Sequence, residues 1–202
     1  EFQVLAPLFR AEGLEGLYQF LMEMDQAQVD SLLSPVVKRA LRHKQDGKID
    51  KTCPERWVAK LYENRAGITP VDRGVFSIYL FNIVCIMPGQ GIFQEAGVPH
   101  AYLEGQNVEL MANSDNVLRG GLTPKHIDVP ELIKNIKFDH IEPVIIEGTT
   151  PCMGESIYPA PTTDFGIATI KLDGSYAFEH EAQSLEMFLV AEGGCVVNNQ
   201  LT

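Results

Sequence analysis

The sequence predicts an α+β chain of mainly β character, in which a helical N-terminal segment is followed by two regions of short strands. Three observations carry this. Apolar residues recur at helical spacing only in about the first 65 residues. From residue 76 onward, β-branched and aromatic runs follow one another with Gly-containing turns and no long helix between them. A short capped helix near 129–137 then separates that region from a second one of the same texture. Closely spaced short strands of this kind close into a barrel or sandwich rather than a parallel α/β sheet. The expected division is 1–68 helical, 69–140 β with the short helix, and 141–202 the beginning of a second β unit.

Leu14, Leu17, Tyr18 and Leu21 repeat at i, i+3, i+4, i+7, and so do Val29, Leu32, Leu33 and Val36. Asp25 and Gln28 form a capping-box start for the second set. Pro35 lies inside that second pattern and is expected to kink or split it, because proline lacks the N–H a helix interior uses. The polar stretch 43–51 reads as a connection, and Pro54 opens a third helix bearing Trp57, Val58, Leu61 and Tyr62, which Gly67 ends. Residues 76–87 are predicted to form one long or two short strands, closed by Pro88-Gly89-Gln90-Gly91. Shorter strands are expected at 92–93, 100–103 and 108–111. Asp128, with Glu131 three positions on, caps the helix at 129–137. Beyond it, strands are expected at 165–172 and 175–178 around an Asp173-Gly174 hairpin, then at 185–190 and 195–197.

The 202 residues hold 16 Lys+Arg against 27 Asp+Glu, a formal charge of −11 that repels phosphate backbones, so a nucleic-acid partner is not expected. The longest uncharged apolar run, 75–87, is shorter than the roughly 20 residues of a spanning helix, and no membrane partner is expected either. Cys53, Cys85, Cys152 and Cys195 form no Cys-x-x-Cys pair and read as reduced thiols of a cytoplasmic protein, with Cys85 expected to behave as a buried hydrophobe. The N-terminus carries neither an initiator Met nor a signal-peptide pattern. Both ends read as cut from something longer.

The residues able to do chemistry concentrate between 99 and 125. If Gly105-Gln106 centres a two-residue hairpin, Tyr102 faces Glu109 across it. Period-2 alternation then places His100 on the same face as Tyr102, opposite Met111. A His, a Tyr and a Glu on one wall suit a metal-plus-base site. The blander alternatives are a surface His–Glu pair, a packing aromatic, a turn-capping Asp115, and solvated cations at Arg119 and Lys125. Spacing alone leaves both open.

Pro99-His100-Ala101-Tyr102-Leu103, then 111–119 (MANSDNVLR), then Gly121-Leu122-Thr123-Pro124-Lys125 closely resemble the signature region of the type I phosphomannose isomerases, zinc enzymes of the cupin superfamily. Ile127-Asp128-Val129-Pro130-Glu131-Leu132 and the helical stretch before residue 70 resemble that family too.

The resemblance implies a cupin-type jelly-roll in the β regions, the last belonging to a second cupin-like unit, and interconversion of mannose 6-phosphate and fructose 6-phosphate through a cis-enediol. The implied substrate is a small sugar phosphate and the implied cofactor is zinc. His100 matches the family's zinc-ligating His, Tyr102, Glu109 and Asp115 its pocket residues, Arg119 its catalytic Arg, and Lys125 the Lys near substrate. Glu109 is the candidate general base. The remaining ligands of the family come from a Gln-x-His segment and a separate Glu, and no Gln-x-His occurs in these residues, so the zinc site is expected to be incomplete here. A non-catalytic cupin-like module that binds a sugar or a partner is the rival expectation. Oligomeric state is left open.

Overall fold

The computed structural model describes residues 3, 5–114, 116–197 and 200–201, with the side chains of 200 and 201 outside the description. Four helices form the body: α1 (Leu5–Glu23), α2 (Gln26–Gln45), α3 (Pro54–Tyr62) and α4 (Val75–Leu80). The expected capping box is present. Asp25 Oδ1 accepts from Gln28 N at 2.9 Å, and Gln28 Oε1 accepts from Asp25 N at 3.4 Å. Helix α1 breaks its helical geometry at Gly13, where φ is +70°.

Helix α2 runs through Pro35 as one helix, so of the kink or split expected there the split does not occur. The lost backbone hydrogen bond is offset by burial, since Val29, Leu33, Val36, Val37 and Ala40 on its inner face are fully buried. Helix α3 starts on Pro54 as expected, but ends at Tyr62 rather than near Gly67. Trp57, Val58, Ala59 and Tyr62 join the same core. Glu55 on α3 accepts from Arg39 Nε at 2.9 Å and contacts His43 Nδ1 at 2.7 Å, which pins α3 to α2.

The strand expected over 76–87 is instead α4 followed by an extended segment without a ladder. Val75, Phe76 and Ile78 are β-prone in isolation, yet one helical turn buries all three against α1–α3, so packing overrides propensity. The core therefore extends past residue 68. Cys85, expected to be buried, is exposed.

After α4 the strands among the described residues form short antiparallel pairs. β1 (Gln90–Ile92) pairs with β2 (Ile145–Glu147), and β3 (Glu155–Tyr158) pairs with β4 (Ile167–Ile170). β5 (Val196–Val197) pairs with β6 (Gln200–Leu201). The Asp173-Gly174 hairpin does not form: β4 pairs upstream with β3, and Asp173 Oδ1 accepts from Ser175 N at 2.8 Å in a local turn. The expected strands at 100–103, 108–111, 175–178 and 185–190 have no ladder partner among the described residues, and the 92–93 run contributes only Ile92, to β1. Helix α5 (Val129–Asn135) lies as expected, with Asp128 Oδ1 accepting from Glu131 N at 3.0 Å. Leu132 of α5 packs with Tyr18 and Met22 of α1. No closed barrel forms among the described residues, and the architecture is a helical body carrying part of a cupin unit.

Candidate functional site

The segment 98–125 crosses the helical body as extended chain and turns. Its entry is set by a turn in which Val98 N donates to Glu95 O at 3.2 Å, while Gly97 O accepts from Lys137 N at 2.9 Å beyond α5. Pro99 then restricts the backbone leading into His100. His100 Nδ1 lies 3.1 Å from Val98 O. A carbonyl oxygen can only accept, so that contact places a proton on Nδ1. An imidazole that ligates a metal through Nε2 carries its proton there.

The chain reverses through Gly105, whose φ of +116° a side chain would resist. The reversal brings the expected residues together although no ladder joins the two arms. His100 Nε2 stands 3.9 Å from Glu109 Oε1, and the His100 and Tyr102 rings meet edge to face with centroids 6.1 Å apart. Partial burial of the Tyr102 hydroxyl raises its pKa, and the hydrogen bond and charge of Glu109 raise it further, so the phenol stays protonated. A carboxylate, an imidazole nitrogen and a phenol thus share one open wall. All three side chains remain solvent-accessible.

The residues present do not make a complete zinc site. His100 Nε2 and Glu109 Oε1 are two donors, whereas zinc takes three or four from protein. Among the described residues no group of three His, Cys, Asp or Glu side chains is placed to hold a metal ion.

The other sequence candidates stand apart from that wall. Arg119 and Lys125 are exposed, and no hydrogen bond or ion pair joins either side chain to His100, Tyr102 or Glu109. Lys125 belongs to a local turn in which its N–H donates to Thr123 Oγ1 at 3.1 Å. Asp115 lies outside the described residues.

Sequence reasoning did not find the groups that fix this segment to the body. Asp72 Oδ1 accepts from Gly74 N at 2.7 Å, at the start of α4, and from Leu122 N at 3.0 Å. The two backbones approach so closely that a Cβ on Gly121, at φ +131°, would sit 2.5 Å from Gly74 Cα. Leu122 then packs against the core, and Leu61, Tyr62, Arg65, Thr123 and Pro124 line a cavity of about 280 Å³ with Asp72 and Leu122. The Gly120-Gly121 pair was the available signal, since adjacent glycines mark a close backbone approach. Glu104 carried no such signal.

The described residues thus amount to a helical body bearing an open His-Tyr-Glu wall, with no complete metal site among them. No family model matches the sequence. The chain is 41% identical over 160 residues to mannose-6-phosphate isomerase of Escherichia coli, covering 78% of this chain and 38% of that protein. It is 32% identical over 201 residues to the mannose-6-phosphate isomerase of Homo sapiens, covering 95% of this chain and 46% of that one. Among solved structures it resembles a point variant of phosphomannose isomerase from Salmonella typhimurium, with TM-score 0.65 and 35% identity over 83% of this chain and 43% of that one. The Salmonella enzyme bound to fructose 6-phosphate and zinc aligns with TM-score 0.62 at 34% identity, covering 83% of this chain and 45% of that one. The chain belongs to the mannose-6-phosphate isomerase family and spans less than half the length of these relatives.

Proposed function

We propose that the protein containing this chain interconverts mannose 6-phosphate and fructose 6-phosphate, and that this chain supplies one wall of its active site. The observation that carries the reading is the convergence of His100, Tyr102 and Glu109, 3.9 Å separating His100 Nε2 from Glu109 Oε1, in a chain similar to an enzyme whose structure holds fructose 6-phosphate and zinc. An aldose–ketose isomerisation moves one proton between C1 and C2 and another between the two oxygens. In this reading Glu109 takes and returns the carbon-bound proton, because a carboxylate on an accessible wall reaches the sugar without rearrangement. Tyr102, held protonated, donates toward a sugar oxygen. Arg119 and Lys125 neutralise the phosphate or a developing oxyanion, which a fixed guanidinium fork does without giving up its own proton. Asp115 contacts the sugar hydroxyls.

His100 is assigned as one ligand of a zinc ion whose other ligands lie outside this chain's described residues. In the same reading the chain divides into 1–68, 69–140 and 141–202, the last segment opening a second cupin-like unit, while the helical core itself reaches across the first boundary to Ile78. A cytoplasmic setting belongs to the same reading, and no helix among the described residues is long and apolar enough to cross a membrane. The test is the full-length protein with mannose 6-phosphate. Formation of fructose 6-phosphate, abolished together with bound zinc by His100→Ala, is the expected result. Turnover and zinc content untouched by His100→Ala contradict the assignment.

A further inference from the structure

Between the arm that carries His100 and Tyr102 and the arm that carries Glu109, the chain turns at Gly105, and the two residues before the turn grip the helices. Glu104 Oε2 accepts from Lys60 Nζ at 2.8 Å, and Oε1 accepts from Lys51 Nζ. Lys60 Nζ also reaches the Leu103 carbonyl at 3.4 Å, and the Leu103 side chain packs against the main core. Among the described residues from 101 to 118, Leu103 and Glu104 supply the hydrogen bonds to the helical body. The two cations are themselves fixed. Lys60 rises from α3 with its ammonium 5.3 Å from the Trp57 ring centroid, and the Lys51 carbonyl accepts from Trp57 Nε1 at 2.9 Å.

A single exposed ion pair contributes little, because two long side chains must be ordered to make it. Here each carboxylate oxygen is held by a different cation, one from α3 and one from the connection before it, so the carboxylate cannot swing about either contact alone. The paired lysines hold the Glu104 carboxyl far below the usual carboxylate range, at about 2.

We infer that Glu104 is a positioning residue for the site: its grip on Lys51 and Lys60 fixes the turn at Gly105 so that the His100–Tyr102 arm and the Glu109 arm stay in register. Its value to catalysis rests on the isomerase reading above, but the positioning itself is measurable without turnover. In this chain, nuclear Overhauser contacts between the His100 and Tyr102 rings and exchange broadening of both arms report the geometry. Glu104→Gln is expected to weaken the inter-ring contact at least about threefold and to broaden residues 100–110. The double variant Lys51→Met, Lys60→Met, which leaves the segment's own sequence intact, is expected to do the same. Ring contacts unchanged in both variants overturn the inference.

In the full-length protein, Glu104→Gln is expected to lower kcat about fivefold with KM for mannose 6-phosphate and melting temperature little changed, a loss equivalent to about 1 kcal/mol. Loss of the ring contact with undiminished kcat leaves the positioning role standing and removes the isomerase role of the wall instead. A fall in melting temperature that accounts for all lost activity overturns the positioning role.

Discussion

In the body built from α1 to α4, nine large apolar side chains between Leu21 and Val75 are less than 2% exposed, whereas no described residue between 100 and 125 is buried. The first region holds its backbone by removing apolar surface from water, worth about 25 cal/mol per Å². The second holds its backbone by a few tethers: the Asp72 carboxylate on Gly74 and Leu122, the Glu104 carboxylate on two lysines, and the turn that binds Gly97 to Lys137. The difference agrees with the proposed function. A wall that must face a polar substrate cannot bury its side chains, so its precision is carried by backbone contacts and charges instead of by packing.

The sharpest break in this contrast comes from the body. Leu33 is fully buried in the middle of α2, so Leu33→Ala removes packed methyl groups and leaves a cavity, and is expected to cost about 2–5 kcal/mol in urea unfolding. A loss below about 1 kcal/mol would mean that the core is looser than its burial indicates. A smaller effect is expected at Gly121→Ala, where the added Cβ meets Gly74 Cα at 2.5 Å in a backbone conformation that L side chains resist. About 1–3 kcal/mol of strain is expected, read as faster amide exchange across 118–124 with helical circular dichroism retained. Equal protection in both proteins would show that the two backbones are not held together.

Arg119→Lys separates a solvated charge from a working fork. An exposed guanidinium contributes about 0–1 kcal/mol to stability, and Lys keeps its sign, so melting should not change. In the full-length protein kcat/KM should nevertheless fall about tenfold or more, since Lys loses the bidentate geometry. Unchanged kinetics would return Arg119 to the solvent.

The smallest effect is electrostatic. Glu104 has its pKa depressed from 4.5 to about 2, so the folded state binds its proton less readily than the unfolded state. The stabilisation is present above about pH 4.5 and is lost as pH falls toward 2. Tyr79 behaves in the opposite sense: burial first, then the nearby Glu55 charge, raises it from 10.0 to about 12. Its contribution is present below pH 10 and lost as pH rises toward 12. Acid titration of Glu104→Gln and alkaline titration of Tyr79→Phe should each flatten one limb of the stability profile, and a limb that keeps its slope would show that the group is not coupled to folding.

Helices α1, α2, α3 and α5 were legible because each carried its own local signal: the 3.6 period of α1 and α2, the Asp25–Gln28 box, Pro54 opening α3, and Asp128 capping α5. What misled was residue type taken without context. Val75, Phe76 and Ile78 favour strands, but a single helical turn puts all three into the same core. Likewise Asp173-Gly174 carries a hairpin signal, yet β4 finds a better partner upstream in β3. The wall itself was legible from pairing arithmetic around Gly105, which placed Tyr102 and His100 near Glu109 even though no ladder formed. The tethers were not, because Lys51, Lys60 and Glu104 are ordinary surface residues until the fold brings them together across more than 40 positions.

The central claim is that this exposed wall does proton chemistry, and Glu109→Gln tests it most directly. Glutamine keeps the shape and a donor oxygen but cannot accept the proton, so in the full-length protein zinc content and melting temperature should hold while kcat falls on the order of 100-fold or more. A kcat close to that of the unchanged protein, with zinc still bound, would contradict the account.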